Sequence, residues 1–318
     1  MRLGSETVSK GVNQAGEAHS TGADLRLSET IAHFIQHARL EGRSRNTMEL
    51  YDYVFQTLHQ SVGDPRLDDI DAATMKAHFA SLMDRDLKAS TVETHHRFIK
   101  ALFNWAVAEV LIEENPLDRV PKPKVPKVFP FMLDDDQVAA LIKACDTRTR
   151  HGHRNYTILL LFLDCGLRLN ELTALRLDDV SLTRRSLKIH GKGAKKRIVF
   201  MGAGVTKALR RWIKMRPSQK ALTDHVFIDR TGEPLKGRWV QQVIVRIGQR
   251  AGIEKRVSPH KLRHVSATMA VQNGMDAFSL QRLYGWESVQ TAMRYVNAAN
   301  PALREAHAKS SPVDRLES

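Results

Sequence analysis

Residues 121–130 read PKPKVPKVFP, and they constrain the fold of this chain more than any other stretch. Prolines stand at positions 121, 123, 126 and 130, with lysines between them. Proline fixes its own φ and lacks an N–H, so this density disfavours both a helix and a central strand. The stretch is typical of an extended basic linker, and it predicts a separate domain on each side.

Charge is divided unevenly about this linker. Residues 1–120 hold 13 Lys and Arg against 18 Asp and Glu, whereas residues 121–318 hold 36 against 17. So basic a second domain indicates a polyanionic partner, most simply nucleic acid, through neutralisation of phosphates and release of their counterions. Charge alone leaves RNA and an acidic membrane surface open.

The segment before the linker is predicted to be helical. Residues 1–22 are rich in Gly, Ser and polar groups, which is typical of a mobile arm. Residues 23–120 form the predicted helical domain, with apolar residues at helical spacing in four stretches: 28–40, 46–61, 71–84 and 90–112. A Ser–x–x capping signal is expected to start the first helix, and Asn115–Pro116 to end the fourth.

Residues 131–318 form the second predicted domain, which mixes helices with a hairpin. Helices are expected over 133–145, 156–165, 204–216, 237–250, 260–273, 278–284 and 288–296, and two strands over 185–202 flank the basic turn GKGAKKR. The predicted fold class is therefore mainly α with a small β-sheet: an N-terminal helical domain followed by an α+β domain.

Several classes of protein are disfavoured. The strongest apolar run, ILLLFL at 158–163, is too short to cross a membrane, and the N-terminus lacks the apolar core of a secretory signal. The only cysteines are Cys145 and Cys165, which indicates no disulfide framework or zinc site. We expect a cytoplasmic protein without a membrane span.

Two short motifs carry cations suited to binding phosphate. Arg168 follows the glycine that ends an apolar helix, and Glu171 lies three residues on. In SPHKLRH, a helix starting at Ser–Pro places His260 and Arg263 on one face, where they form an oxyanion clamp at the helix N-terminus. His264 is expected to point elsewhere and to serve packing or a local hydrogen bond.

Lys192, Trp286 and Tyr295 complete a set that metal-free phosphoryl transfer would need. Fixed cations stabilise charge on the transferring phosphoryl group, and a phenol holds it covalently. The sequence offers no clustered carboxylates or His/Cys ligands, so no metal or cofactor is expected. Taken singly, each motif also fits a structural pair, a solvated turn or a packed aromatic residue.

These motifs, in this order, resemble the tyrosine recombinases, or phage integrase family, over about residues 25–310. The matching residues are Arg168 with Glu171, Lys192 in GKG, His260 with Arg263, Trp286, and Tyr295 nine residues later. Three positions depart from the commoner family residue: Cys165 stands for Thr, Asn170 for Gly or Ser, and Trp286 for His. Because an indole donates a hydrogen bond but cannot shuttle a proton, Trp286 cannot act as an acid or base.

The resemblance implies a role for each residue. Tyr295 would attack the scissile phosphate, giving a 3′-phosphotyrosyl link and a free 5′-hydroxyl. Arg168 and Arg263 would bind the non-bridging oxygens, and Lys192 would protonate the leaving oxygen. His260 would help to accept the tyrosine proton. Trp286 would donate its N–H to the phosphate or pack behind the nucleophile, and Glu171 would orient Arg168 or His260.

The resemblance also implies partners. A core-binding domain and a catalytic domain would clamp double-stranded DNA, with a monomer or dimer before synapsis, a homotetramer on paired sites and accessory DNA-bending factors at the nucleoid. DNA contacts are expected from the following residues: Arg43, Arg45, His95, His96, Arg97, Lys100, Lys195 and Lys196. A simple charged helix surface fits the residues of the acidic N-terminal domain equally well.

The sequence therefore predicts a site-specific DNA recombinase that needs neither metal nor ATP. A type IB topoisomerase shares the nucleophile, but the short chain and the helical domain ahead of the linker favour a recombinase. A non-catalytic DNA-binding protein would have no use for Tyr295 among these cations. Residues after Tyr295 are expected either to pack on a neighbouring protomer or to fold back.

Overall fold

The computed structural model describes residues 25–126, 131–191, 196–216, 222–298, 311 and 313. The chain divides into two compact units, Met1–Lys127 and Val128–Ser318. Residues 121–126 have no regular secondary structure. The predicted N-terminal arm, the end of the linker (127–130) and nearly all of the C-terminal tail lie outside the described residues.

In the part of the first unit that the structure describes, four α-helices share one apolar core. Leu27, Phe55, Leu58 and Phe103 are among its fully or almost fully buried side chains. The apolar residues recur at helical spacing, so each helix turns one face inward. The helices are α1 (Leu27–Leu40), α2 (Arg45–Val62), α3 (Ala72–Asp84) and α4 (Ala89–Ala108).

Two helix boundaries in this unit differ from the sequence prediction. Ser28 does not cap α1; the helix starts at Leu27, and the Ser28 hydroxyl instead donates to Asp64 Oδ2 at 3.0 Å. The fourth helix stops at Ala108, before a left-handed residue at Val110 (φ 58°). Asn115 does not end α4; its side chain accepts from Leu117 N at 2.8 Å and starts a 3₁₀ turn.

The second unit combines helices with a small antiparallel sheet, so the predicted fold class is confirmed. Its strands are β1 (Val180–Ser181), β2 (Ser186–His190) and β3 (Lys196–Phe200) in the order β1-β2-β3, with Leu187 paired to Val199. Its helices are α5 (Asp135–Lys143), α6 (Arg150–Asp164), α7 (Leu169–Thr173), α8 (Ala203–Met215), α9 (Gly237–Arg250), α10 (Pro259–Gln272), α11 (Ala277–Tyr284) and α12 (Val289–Ala298). The sequence pattern did not predict α7 or β1, which are too short to show a period.

Helix α6 lies in the core of this unit and carries the ILLLFL run. Ile158, Leu159, Leu161 and Phe162 are completely buried, as expected for a helix that is apolar on more than one face. Within the described ranges, no helix combines the length and the apolar character needed to span a bilayer. The helix ends just before Gly166 (φ 56°), and this turn places Arg168 at the start of α7.

Candidate active site

The SPHKLRH motif forms the start of helix α10. The Ser258 hydroxyl accepts from Lys261 N at 3.3 Å and caps the helix, and Pro259 occupies its first position. His260 therefore lies in the first turn, where unpaired backbone N–H groups favour an anion. The local start of the helix is as the sequence predicted.

Arg263 is a buried cation held by backbone carbonyls. Its side chain donates from Nη1 to Gly166 O and from Nη2 to Tyr284 O, the latter at 2.5 Å. The residue is 5% exposed, and the guanidinium carbon lies 5.0 Å from the centre of the Tyr284 ring. Burial and the neighbouring Arg168 lower the pKa of Arg263 to about 10, so the group stays charged at neutral pH.

Arg168 is paired with Glu171 but remains accessible. Its Nη1 donates to Glu171 Oε1 at 2.8 Å, its backbone N–H to Oε2 at 2.8 Å, and its Nη2 to Gly285 O at 3.1 Å. The Arg168 side chain is 44% exposed, whereas that of Glu171 is 5% exposed. Arg168 therefore makes a structural ion pair with Glu171 and still exposes part of its side chain to solvent.

Arg197 on β3 holds the other side of the same carboxylate. Its Nη1 and Nη2 donate to Glu171 Oε1 and Oε2 at 2.7 and 2.8 Å, and its Nε donates to Leu283 O at 3.0 Å. Burial alone would raise the pKa of Glu171, but the hydrogen bonds from Arg197 and Arg168 outweigh it and lower the pKa to about 2. One ionised carboxylate thus fixes two arginines.

Tyr295 on α12 is buried and stacked. The residue is 5% exposed, and its ring lies 5.1 Å from that of Trp286 at an interplanar angle of 4°. Trp286 stacks in turn on Tyr284 at 4.9 Å. Burial raises the pKa of Tyr295, while Arg263 and Arg294 oppose that rise. The phenol is protonated at neutral pH, so it would need a proton acceptor in order to act as a nucleophile.

His264 is the residue that contacts the Tyr295 hydroxyl, through Nδ1. Its Nε2 lies 2.9 Å from Nε2 of His260, which is exposed. The expectation that His264 points elsewhere was wrong, because a step of four residues returns a helix to within about 40° of its starting direction. Burial, His260 and Arg263 lower the pKa of His264 to about 4, so it is neutral at pH 7.

The geometry joins both motifs and the tyrosine in a single cluster of the second unit. The Phage integrase family profile matches residues 132–301, more than half of the chain. The chain belongs to the phage integrase family. A second profile, the phage integrase SAM-like domain, matches residues 26–125 of the first unit.

Relatives of this integrase-family chain span nearly all of it. The tyrosine recombinase XerD of Staphylococcus haemolyticus (strain JCSC1435) is 29% identical over 293 residues, covering 90% of this chain and 99% of the relative. The crystal structure of XerA recombinase covers 89% of this chain and 99% of its own, at 25% identity and a TM-score of 0.53. A λ integrase dimer bound to a COC′ core site covers 86% and 78%, at 18% identity and a TM-score of 0.72.

Family membership settles the class of activity: the chain is a tyrosine-type site-specific DNA recombinase. The topoisomerase and non-catalytic alternatives are not favoured, because the profiles cover both units of a recombinase. Of the residues predicted to form the site, the structure brings together Arg168, Glu171, His260, Arg263, Trp286 and Tyr295. Sequence reasoning missed Arg197 and His264.

The hairpin lysines of this integrase-family chain are only partly within the described residues. Lys192 and Lys195 lie outside them, and Lys196 is the exposed first residue of β3. The next residue, Arg197, reaches Glu171, so the strand that follows the basic turn is attached directly to the site.

The candidate DNA-contacting residues of the first unit differ in accessibility. Three of the four surface cations pair with carboxylates at 2.9 to 3.0 Å: Arg43 with Glu41, Arg45 with Glu49 and Lys100 with Asp118. Arg97 is exposed and lies over the Phe98 ring. His95 and His96 were expected on a DNA-facing surface. This was wrong, because both are buried residues of α4, at 0% and 5% exposure.

Proposed function

We propose that this recombinase cuts duplex DNA by attack of Tyr295 on the scissile phosphate and rejoins it by attack of a 5′-hydroxyl. The observation that carries the proposal is the contact between the Tyr295 hydroxyl and His264 in a cluster that also holds His260 and two arginines. Because the phosphotyrosyl link keeps the energy of the broken bond, religation needs no ATP. Fixed guanidinium groups take the part that a metal plays in other phosphoryl transfers.

Arg168 and Arg263 are proposed to bind the non-bridging oxygens. Each guanidinium has more N–H donors than its present partners accept, so both can add a phosphate without giving up their attachment. Glu171 keeps Arg168 in position. Removing a comparable donor from an oxyanion site slows chemistry by about 10²- to 10³-fold.

The remaining roles follow the family resemblance. Lys192 is proposed as the general acid for the leaving 5′-oxygen, His260 as the group that finally takes the Tyr295 proton, and Trp286 as a packing surface or N–H donor. Arg43, Arg45, Arg97, Lys100, Lys195 and Lys196 are proposed to contact the DNA backbone, which positions a protein without reading sequence.

We also propose the partners and the place of action. The substrate is double-stranded DNA, and two structural relatives support this choice: the λ integrase dimer is bound to a core site, and XerH recombinase to a palindromic difH substrate. By resemblance, a homotetramer forms on paired sites from a monomer or dimer, with accessory DNA-bending factors, at the nucleoid in the cytoplasm. The domains proposed are 23–120 and 131–318, separated by the linker 121–130.

The decisive experiment selects a binding site from fragments of the host genome and offers it as a duplex nicked beside the cleavage position. Wild type is expected to form an adduct that survives SDS, and Tyr295→Phe none, with equal DNA binding by both. An adduct that persists undiminished in Tyr295→Phe would contradict the nucleophile assignment. Site-independent relaxation of supercoiled DNA would instead support the topoisomerase alternative.

A further inference from the structure

Tyr295 exposes little surface through which solvent could take its proton directly. The residue is 5% exposed, and its ring is covered by Trp286 on one side. Trp286 cannot accept a proton, because an indole only donates. Within the protein, the group best placed to accept the proton is therefore a side chain that touches the hydroxyl.

His264 is that side chain, and it connects the phenol to the protein surface. Its Nδ1 contacts Tyr295 Oη, and its Nε2 lies 2.9 Å from Nε2 of the exposed His260. The two imidazoles meet edge to face, with ring centres 4.4 Å apart. Three groups thus form a continuous line of hydrogen bonds from the buried phenol outward.

This line accepts two arrangements of protons on the same heavy atoms. In one, the phenol donates to His264 Nδ1, and His264 Nε2–H donates to His260. In the other, the proton has left the oxygen: His264 carries it on Nδ1, and His260 carries one on Nε2. His264 is neutral in both arrangements and only exchanges one tautomer for the other, because a neutral imidazole has one donor nitrogen and one acceptor nitrogen. An imidazolium at His264, with two donors, would fit neither arrangement.

We propose that His264 is a proton-relay residue that carries the Tyr295 proton to His260 during cleavage and returns it during religation. In cleavage, the Tyr295 oxygen forms its bond to phosphorus and loses its proton to Nδ1 of His264, which passes its Nε2 proton to His260. The bond from phosphorus to the 5′-oxygen breaks, and that oxygen takes a proton from the general acid. In religation, each transfer runs in reverse.

The charges around His264 support this role. His260 and Arg263 flank it on α10, Tyr295 and Arg294 lie on α12, and Arg168 completes the cationic surroundings of the site. Burial and the first two of these groups lower the pKa of His264 and so keep it neutral at physiological pH. A neutral ring that is already hydrogen-bonded on both sides transfers a proton without holding a net charge.

The inference rests on the proposed role of Tyr295, and its test uses the full-length protein on the genome-selected nicked duplex described above. His264→Ala is expected to lower the rate of adduct formation by about 10²- to 10⁴-fold, the range of a lost acid–base group. Added imidazole should fill the space and restore the rate at least tenfold. Substituted imidazoles of different pKa should restore it to an extent that depends on their basicity.

His264→Phe is the matched control. Its ring keeps the packing against Tyr295 but cannot relay a proton and leaves no space for imidazole, so it should be as slow as His264→Ala and not be restored. DNA binding and melting temperature, measured on both variants, show that each is folded.

The possible results separate the two proposals. If wild type forms no adduct, the proposed function itself is wrong. If wild type reacts and His264→Ala reacts within threefold of it, or if imidazole restores nothing, the relay is wrong and Tyr295 passes its proton elsewhere, for instance to the phosphate. Rescue that is equal for weak and strong bases would show that the ring only fills space, and it would also overturn the relay.

Discussion

Arg197 donates two parallel hydrogen bonds to Glu171, with Nη1–Oε1 and Nη2–Oε2 distances of 2.7 and 2.8 Å. The same side chain reaches Leu283 O with its Nε, so β3, α7 and the end of α11 meet at one guanidinium. Since Arg168 shares the carboxylate, Arg197 determines the position of a proposed phosphate-binding group without facing the phosphate itself.

Replacing Arg197 is therefore expected to destabilise the second unit. Arg197→Ala leaves the Glu171 carboxylate, 5% exposed, with half of its partners. Loss of one member of a buried ion pair lowers the free energy of unfolding by about 3 kcal/mol or more. Urea denaturation measures this change. The control is Arg45→Ala, which breaks the exposed pair with Glu49 and should leave the urea midpoint unchanged. Equal losses of unfolding free energy in both variants would contradict the assignment.

The stability that Glu171 contributes should depend on pH in a defined window. Its folded pKa is about 2 against an ordinary value of 4.5, so the unfolded chain takes up a proton first as the pH falls. The difference in unfolding free energy between wild type and Glu171→Gln should be full above about pH 5 and shrink from about pH 4.5 towards pH 2. Urea titrations at pH 7, 5, 4 and 3 measure it, and a constant difference would rule out the depressed pKa.

Gly166 should tolerate no side chain. Its φ is +56°, and a Cβ there would lie 2.3 Å from Cε1 of the fully buried Tyr284 ring. Gly252 has a similar φ of +72° with nothing within 4 Å of its Cβ position. Gly252→Ala should lower the free energy of unfolding by the strain alone, about 1 kcal/mol, and the melting temperature accordingly. Gly166→Ala should lower it several times further, and equal shifts would show that the ring moves aside freely.

The residues of the candidate site show what the sequence could and could not predict. Arg168, His260, Arg263 and Tyr295 were recognisable because their spacing matches a family pattern. Arg197 was missed because it follows a run of cations at a turn, and residue type alone does not reveal which cation meets a buried carboxylate.

Burial was the other limit. His95 and His96 have the composition of a surface pair, yet α4 turns both inward beside Ile99 and Leu102. Local propensity predicts neither which face of α4 turns inward nor the early end of the helix at Ala108, since tertiary packing overrides it. The apolar run of α6 was predicted correctly because six consecutive apolar residues leave no polar face to expose.

Trp286 is expected to act through packing. Its indole lies parallel to the Tyr295 ring and 5.1 Å from its centre. Trp286→Phe keeps a stacked ring and should form adduct within about tenfold of wild type, whereas Trp286→Ala should lose a further order of magnitude, in keeping with the ~0.5–1.5 kcal/mol of an aromatic pair plus its lost burial. The rate of adduct formation decides. Equal loss in both variants would assign the effect to the indole N–H.

Arg263 should be needed for chemistry more than for binding. Arg263→Ala should reduce adduct formation by about 10²- to 10³-fold while DNA affinity, measured by fluorescence anisotropy, changes little. Because the guanidinium also holds Gly166 O and Tyr284 O, Arg263→Lys serves as a less disruptive second variant, and melting temperatures identify any loss of fold. Weak binding with normal cleavage would contradict its place at the phosphate.

The attachment of both arginines to backbone carbonyls bears on how an inactive form of the protein should be made. Arg263 holds the carbonyl of Tyr284, and Arg168 holds that of Gly285. These are the two residues at which α11 ends, ahead of the helix that carries the proposed nucleophile. Replacing either arginine would therefore remove a proposed phosphate contact and also a hydrogen bond that holds the chain just ahead of α12. Tyr295→Phe removes one oxygen and leaves these hydrogen bonds in place, so it is the variant with which to capture complexes with uncleaved DNA.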